Sequence, residues 1–504
     1  MLRAGGAGAG ALALGSVAGC ASDDFVPANS HDPDAPNTML IVAESTRADY
    51  IGAYNKDTIA DTPNIDALAR ESLVFNWAVP EAMPTGPVRR CLLTGVRSFP
   101  YRNWIQTEGL PGEPGWNPIY DHQPIFTETM GEAGVATAYI TDNPFLVGPR
   151  FANFRRTLDY ARPDYSQGAY RFLNKPFKRP APRSAVERYL IPALSDSVEV
   201  PRLRDLIGWN ALYRRRESDY SSARVMRGAM KIVDDLADRQ PFFLGVDAFD
   251  PHEAFDPPPF YMDRFGTDPK GIEKDGIKPI QPFETPYSWL VDLEIDDETV
   301  ERVRELYAAE LTYTDRWLGR LLNKMDDAGV LDTTAIYYTA DHGLTLGERG
   351  LIGKHAARVR NEMYHVPCMI RHPEGKRGGE RSDFYASTHD AARTLLGFQG
   401  VRAAGQMNGE DLSVLFDGKE PPPRPYFTSC YARYLICGDD RWTLVAHSEL
   451  DAERTRLFDR QNDPDEETDV AQDNPEKVRE LVNVLSEEAG GTLPQFGENG
   501  VLGG

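Results

Sequence analysis

The chain has 504 residues, 41% hydrophobic and 26% charged, a globular usage that is enough for one large core with a smaller one beside it. Its 55 basic and 77 acidic residues give a formal charge of −22, which argues against a face for nucleic-acid backbone or for an anionic bilayer. Five cysteines without a CxxC pair exclude a disulfide framework and structural zinc, and leave Cys430 and Cys437 as the pair close enough for a local bridge.

In chain order, residues 4–19 are small and apolar, follow Arg3 and lead into Val17-Ala18-Gly19-Cys20. The run is shorter than the ~20 residues of a membrane-spanning helix. It resembles a bacterial or archaeal lipoprotein signal over 1–20, with Cys20 as the lipidated residue and a polar, Pro-bearing tether over 21–37. The expectation is an extracytoplasmic protein held at the cell membrane through that lipid anchor.

From Thr38 short apolar runs of buried-strand character alternate with helical stretches, the pattern of an α/β fold. Met39 to Ala43 ends at Glu44-Ser45, and Ala136 to Ile140 ends at Thr141-Asp142-Asn143. Phe242 to Val246 runs toward Asp250 and His252, and Ala335 to Ala340 ends at Asp341-His342. Parallel sheets carry their ligand site at the carboxyl ends of the strands, so these four runs predict one shared polar site. Helices are predicted from about Asp219 to Asp238 and over 297–328, with a capping box at Ser184 to Glu187. Residues 155–240, Arg-rich and Pro-interrupted, look like an insertion that shapes a substrate mouth. Strands over Tyr426 to Cys437, Trp442 to His447 and Arg456 to Asp459, then a helix around Pro475–Glu488, predict a small α+β C-terminal domain. The expected division is a catalytic α/β domain at 38–400 and that smaller domain at 401–504.

Asp341-His342 at a strand's end, with Glu44 closing another strand, is a natural ligand set for one divalent cation, with calcium, magnesium, manganese and zinc not separated. Thr85-Gly86-Pro87-Val88-Arg89-Arg90 opens a helix, with Thr85 as N-cap and Pro87 in the first turn. The plain alternative is a capped helix carrying two surface arginines. The functional reading is a nucleophilic hydroxyl at a helix N-terminus beside the metal, facing a ready anion site for in-line attack on phosphorus or sulfur. Arg89 and Lys354 would then neutralise charge, and His252 or His355 would protonate the leaving oxygen.

Val42-Ala43-Glu44-Ser45-Thr46-Arg47 with Thr62-Pro63-Asn64-Ile65, Arg89 to Gly95, Asp250-Pro251-His252-Glu253, Thr339 to His355, and Leu457-Phe458-Asp459 stand in one order along the chain. In these stretches it resembles the sulfatases of the alkaline-phosphatase superfamily, from about residue 38 to the C-terminal helix. The resemblance implies an alkaline-phosphatase-like, mostly parallel sheet between helical layers, a divalent metal, and hydrolysis of sulfate or phosphate esters. It implies Glu44, Asp341 and His342, with Thr85, as metal ligands, Arg89 holding the nucleophile and the anion, and Lys354 on the ester oxygens. His252 would serve the leaving group, and His355 would contact the anion or support the ligands from behind.

Three departures bear on the chemistry. The family's Cys-x-Pro-x-Arg signature, whose cysteine becomes formylglycine, reads Thr85-Gly86-Pro87-Val88-Arg89, and Thr85 cannot become that aldehyde, so no formylglycine is expected. A formylglycine hydrate releases sulfate by collapsing to the aldehyde, whereas a threonyl ester needs a second, activated water, which pulls the chemistry toward phosphorus. Glu44-Ser45 stands where the family usually has aspartate, and Asp142-Asn143 replaces a Lys-Trp-His element. The sequence thus predicts a sulfatase-like hydrolase of anionic esters with Thr85 as nucleophile. The rivals are a phosphodiesterase, phosphonate hydrolase or phosphoryl transferase, and a non-catalytic metal-binding lipoprotein.

Overall fold

The computed structural model describes residues 31–166, 182, 214–265 and 296–502, except Pro33, Ala254 and Asn499. The expected export segment with Cys20, most of the tether, and the capping box at Ser184 to Glu187 lie outside those residues. The described strands, in chain order, begin with β1 (Asn37–Ala43), β2 (Ser72–Phe75), β3 (Ala78–Val79), β4 (Ala136–Thr141), β5 (Tyr160–Pro163) and β6 (Phe242–Ala248). They continue with β7 (Thr334–Ala340), β8 (Thr345–Leu346), β9 (Ile352–Gly353), β10 (Cys368–Arg371), β11 (Arg381–Ser382) and β12 (Ala386–Ser387). The last four are β13 (Phe427–Tyr431), β14 (Tyr434–Gly438), β15 (Trp442–His447) and β16 (Arg456–Asp459).

One sheet runs in the order β11-β2-β10-β7-β1-β6-β4-β5. Strand β10 lies antiparallel to β2 and β7, and the other pairings are parallel. Every residue of β1, β6 and β7 is buried, which is why their sequences read as continuous apolar runs rather than alternating ones. Side chains alternate across β1: Met39 and Ile41 enter one core with the helices Ser221–Leu236 and Asp297–Asp327. Leu40 and Val42 enter the other, with the helices Thr85–Thr94, Phe126–Glu132 and Asp390–Phe398. The result is the expected mostly parallel sheet between helical layers. The two long helices also fall where the periodicity puts them, within about two residues of the predicted ends.

Beyond residue 420 an antiparallel sheet, β13-β14-β15-β16, buries Leu435 and Leu444 under Leu481 and Leu485 of the helix Pro475–Glu488. Its other face packs Ile436, Val445 and Phe458 against Val79, Met363 and Tyr364 of the large unit. Two expectations fail here. Tyr426 to Cys437, read as one strand, is a hairpin that turns at Ala432, whose φ of 50° no glycine or asparagine announces. Cys430 and Cys437 are buried and unbridged. The register pairs Cys430 with Leu435 and Cys437 with Thr428, so the two are diagonal neighbours, beyond the ~4 Å Cβ separation that a disulfide needs. Among the described residues no helix is long and apolar enough to cross a membrane.

Candidate active site

The strand ends meet. Glu44 follows β1, Asp341 and His342 follow β7, and the helix Thr85–Thr94 arrives beside them with Thr85 as its first residue. Glu44, Thr85, Arg89, Asp341 and His342 are all buried. The Thr85 hydroxyl donates to Glu44 Oε1 at 2.8 Å and lies 3.3 Å from His342 Nε2. Thr85 is therefore not the helix cap: Pro84 holds that place, and the hydroxyl is spent on the acidic cluster instead of a backbone N–H. The alternative of two surface arginines also fails, because both are buried and Arg90 Nε donates to Ser98 Oγ at 3.1 Å.

His342 Nδ1–H donates to its neighbour's carbonyl, Gly343 O, at 2.8 Å, which leaves Nε2 as a lone pair. That lone pair sits 3.3 Å from Asp341 Oδ2 and 3.6 Å from Glu44 Oε1. The ligating atoms of Glu44, Asp341 and His342 lie within 4.8 Å of one another. Three converging acceptors repel each other, and two carboxylates with one imidazole fit a divalent cation between them. Burial, then the Asp341 carboxylate, push Glu44 well above the usual carboxylate range against the pull of Arg89. Burial works against Asp341 too, but Arg89 and His342 hold it below that range. Burial draws the His342 imidazole down to about 4, so it is neutral and free to ligate.

Glu44 is aimed by Asn143, which the sequence places at a strand end near the shared site without giving it a role. Asn143 caps the helix Pro144–Val147 by accepting from the N–H groups of Phe145 and Leu146, and its Nδ2 donates to Glu44 Oε2 at 3.2 Å. Arg89 adds Nη2 to the same oxygen at 2.9 Å, and its Nη1 pairs with Asp341 Oδ2. Its Nε and Nη2 fork onto Asp247 at 3.0 and 2.8 Å. Burial opposes the guanidinium charge, but these three carboxylates keep Arg89 protonated well above its ordinary value. An aspartate inside a fully buried parallel strand is the signal that could have found Asp247.

His252 and Lys354 form a second group. Lys354 Nζ lies 3.0 Å from His252 Nε2 and donates to Glu253 Oε2 at 3.1 Å, and His252 stacks on Phe249 at 4.2 Å. Lys354 is near enough to the first group to lower both Glu44 and His342 electrostatically. Among the described residues no contact ties His355 to either group, and burial holds its imidazole below the ordinary value. Trp116 closes over the start of the helix Thr85–Thr94: a Cβ on Gly86 would stand 2.5 Å from its ring, so only glycine fits there.

The sulfatase family model matches residues 36–401, most of the chain. The chain belongs to the sulfatase family. A second model, N-sulphoglucosamine sulphohydrolase C-terminal, matches residues 347–490. N-acetylglucosamine-6-O-sulfatase of Bacteroides thetaiotaomicron is 23% identical over 97% of this chain and 90% of its own. The phosphonate monoester hydrolase of Agrobacterium radiobacter superposes with a TM-score of 0.64 at 19% identity, covering 93% of this chain and 99% of its own. A structure in complex with its substrate D-glucosamine-2-N,6-O-disulfate gives 0.64 at 18% identity over 91% and 98%. The sulfatase fold of these neighbours is the fold described above, and the family is one of ester hydrolases in the alkaline-phosphatase superfamily.

Proposed function

We propose that this sulfatase-family chain is a metal-dependent hydrolase in which Thr85 attacks the sulfur or phosphorus of an anionic ester. The observation that carries the reading is the Thr85 hydroxyl at the first residue of a buried helix, 2.8 Å from Glu44 Oε1 and 3.3 Å from His342 Nε2. Glu44, Asp341 and His342, with the Thr85 hydroxyl, would hold one divalent cation, which when bound lowers the hydroxyl's pKa and neutralises ester charge. Thr85 Oγ bonds to the central atom while its proton passes to Glu44, and the bond to the leaving oxygen breaks. The Lys354–His252 pair supplies the proton that this oxygen takes, and the lysine charge faces the non-bridging oxygens. Water, giving its proton back to the Lys354–His252 pair, then cleaves the threonyl ester; Thr85 Oγ takes back the proton held on Glu44, and the acid is released. His355, next to Lys354 and with its Nδ1 lacking a hydrogen-bond partner among the described residues, is left the lesser role of an anion contact.

The threonyl intermediate favours a phosphorus ester, and the likeness to a phosphonate monoester hydrolase supports that preference. The test is initial-rate turnover, metal-supplemented, on matched aryl sulfate, phosphate monoester, phosphate diester and phosphonate monoester, with Thr85→Ala alongside. Preference for a phosphorus ester, lost in the variant, is the expected result. A wild-type rate in Thr85→Ala would sink the nucleophile assignment, and no turnover on any ester would favour the transferase or the non-catalytic lipoprotein. Export and lipid attachment at Cys20 belong to the same proposal, supported by the small, apolar run before it. Cys20→Ser is expected to move the protein from the membrane to the soluble fraction.

A further inference from the structure

The buried charge around Arg89 exceeds what the three candidate ligands explain. Asp247 is fully buried on β6, lies outside the ligand set, and takes no part in the steps above. We propose that Asp247 is a positioning residue that holds Arg89 between Glu44 and Asp341 and sets the charge at which the site takes a divalent cation. The proposal rests on reading Glu44, Asp341 and His342 as metal ligands.

The geometry is built for this. Asp247 receives Arg89 Nε and Nη2 as a planar fork, at 3.0 and 2.8 Å, which fixes the plane of the guanidinium. Within that plane the other edge meets Glu44 Oε2 and Asp341 Oδ2, one carboxylate on each side. Asp247 is itself held, because the Tyr139 hydroxyl donates to its Oδ2 at 3.1 Å. Tyr139 reaches it by crossing its register partner Gly245, where a Cβ would stand 2.0 Å from the ring. A glycine in the middle of a buried strand weakens that strand, and here it clears the path from Tyr139 to Asp247.

The charge count gives the device a purpose. With Glu44 held ionised by a bound cation, Glu44, Asp247 and Asp341 against Arg89 leave two negative charges, the complement of that cation. Without Asp247 one negative charge would remain, and Arg89, freed on one edge, could swing toward the ion.

The test is calorimetric titration of the chelator-stripped full chain with Mn²⁺ alone, repeated with Ca²⁺, for wild type, Asp247→Asn and Tyr139→Phe. Asp247→Asn is expected to weaken binding 10- to 100-fold, the usual range for partners behind a ligand set. Tyr139→Phe disturbs the same packing without changing charge, and is expected to weaken binding by less than about threefold. The Mn²⁺ electron paramagnetic resonance line shape should change in Asp247→Asn and not in Tyr139→Phe. Equal affinity in wild type and Asp247→Asn would overturn the proposal, and so would equal losses in both variants. If Asp247→Asn does not fold, Asp247→Glu keeps the charge: retained affinity supports the proposal and a tenfold loss overturns it. Wild-type protein that takes up no divalent cation would instead bring down the metal reading itself, a distinguishable result.

Discussion

Two buried clusters in this molecule use the same three residue types. One joins Asp341 and His342 to Arg89, and the other joins His389 and Asp390 to Arg424. In the second, Arg424 forks onto both Asp390 oxygens at 2.8 Å, and the backbone N–H groups of Ser387 and Glu410 complete the carboxylate. One carboxylate meets one guanidinium, and each Asp390 oxygen accepts from two donors. In the first, Arg89 is shared among three carboxylates, and the His342 lone pair faces oxygen atoms rather than a hydrogen. Burial depresses both imidazoles, His342 to about 4 and His389 to about 3, so a low histidine pKa does not separate them. Charge balance does: Asp390 and Arg424 balance each other, whereas Arg89 is shared among three carboxylates, the imbalance that the proposed cation would complete.

The comparison breaks most sharply at Thr85, which only the first cluster possesses. Thr85→Ala is expected to lower turnover by at least ~10⁴-fold while melting stays near wild type, read by initial rates and calorimetry. Asp390→Ala should do the reverse, costing about 3–5 kcal/mol in denaturant titration because Arg424 loses its partner, with Mn²⁺ affinity unchanged. Metal at 100 times its Kd should stabilise the chain by about 2.7 kcal/mol, reversed by chelator in wild type and in His389→Gln alike. Gly86→Ala drives a methyl into the Trp116 ring beside the first cluster, and is expected to cost roughly 1–3 kcal/mol.

The smallest effect is a pH dependence of the second cluster. His389 titrates at about 3 when folded against about 6.5 unfolded, so the folded state binds fewer protons. Its contribution is complete above pH 6.5 and is lost as pH falls toward 3, reaching about 1.4 kcal/mol by pH 5.5. His389→Gln should flatten the stability profile across that window. An unchanged slope would mean that His389 is not held neutral by burial.

Much of the site could be read before the fold was known. Glu44, Asp341 and His342 stand at strand ends and Thr85 and Arg89 open a helix, while His252 and Lys354 lie in stretches that resemble the family; the structure gathers them into two neighbouring groups. His355 enters through the family-like stretch Thr339 to His355 and its place beside Lys354, and among the described residues no contact ties it to either group. The cap reading of Thr85 fails instructively: a hydroxyl before a helical run reads as a cap, but Pro84 takes that place and the Thr85 hydroxyl turns to Glu44, 41 residues away.

The sequence by itself determined the alternation of strands and helices and the family, because burial on both faces writes apolar runs and one-faced helices write a stripe, within windows of a few residues. It also determined which chemical groups end the central strands. Tertiary structure alone decided who partners whom. Asp247 meets Arg89 across 158 residues of sequence, and Asn143 meets Glu44 across 99. Cys430 and Cys437, seven positions apart, are kept from bonding by a one-turn hairpin register. The physical reason is that charge pairing and lone-pair direction depend on distances of about 3 Å, which only the packed sheet and helices fix.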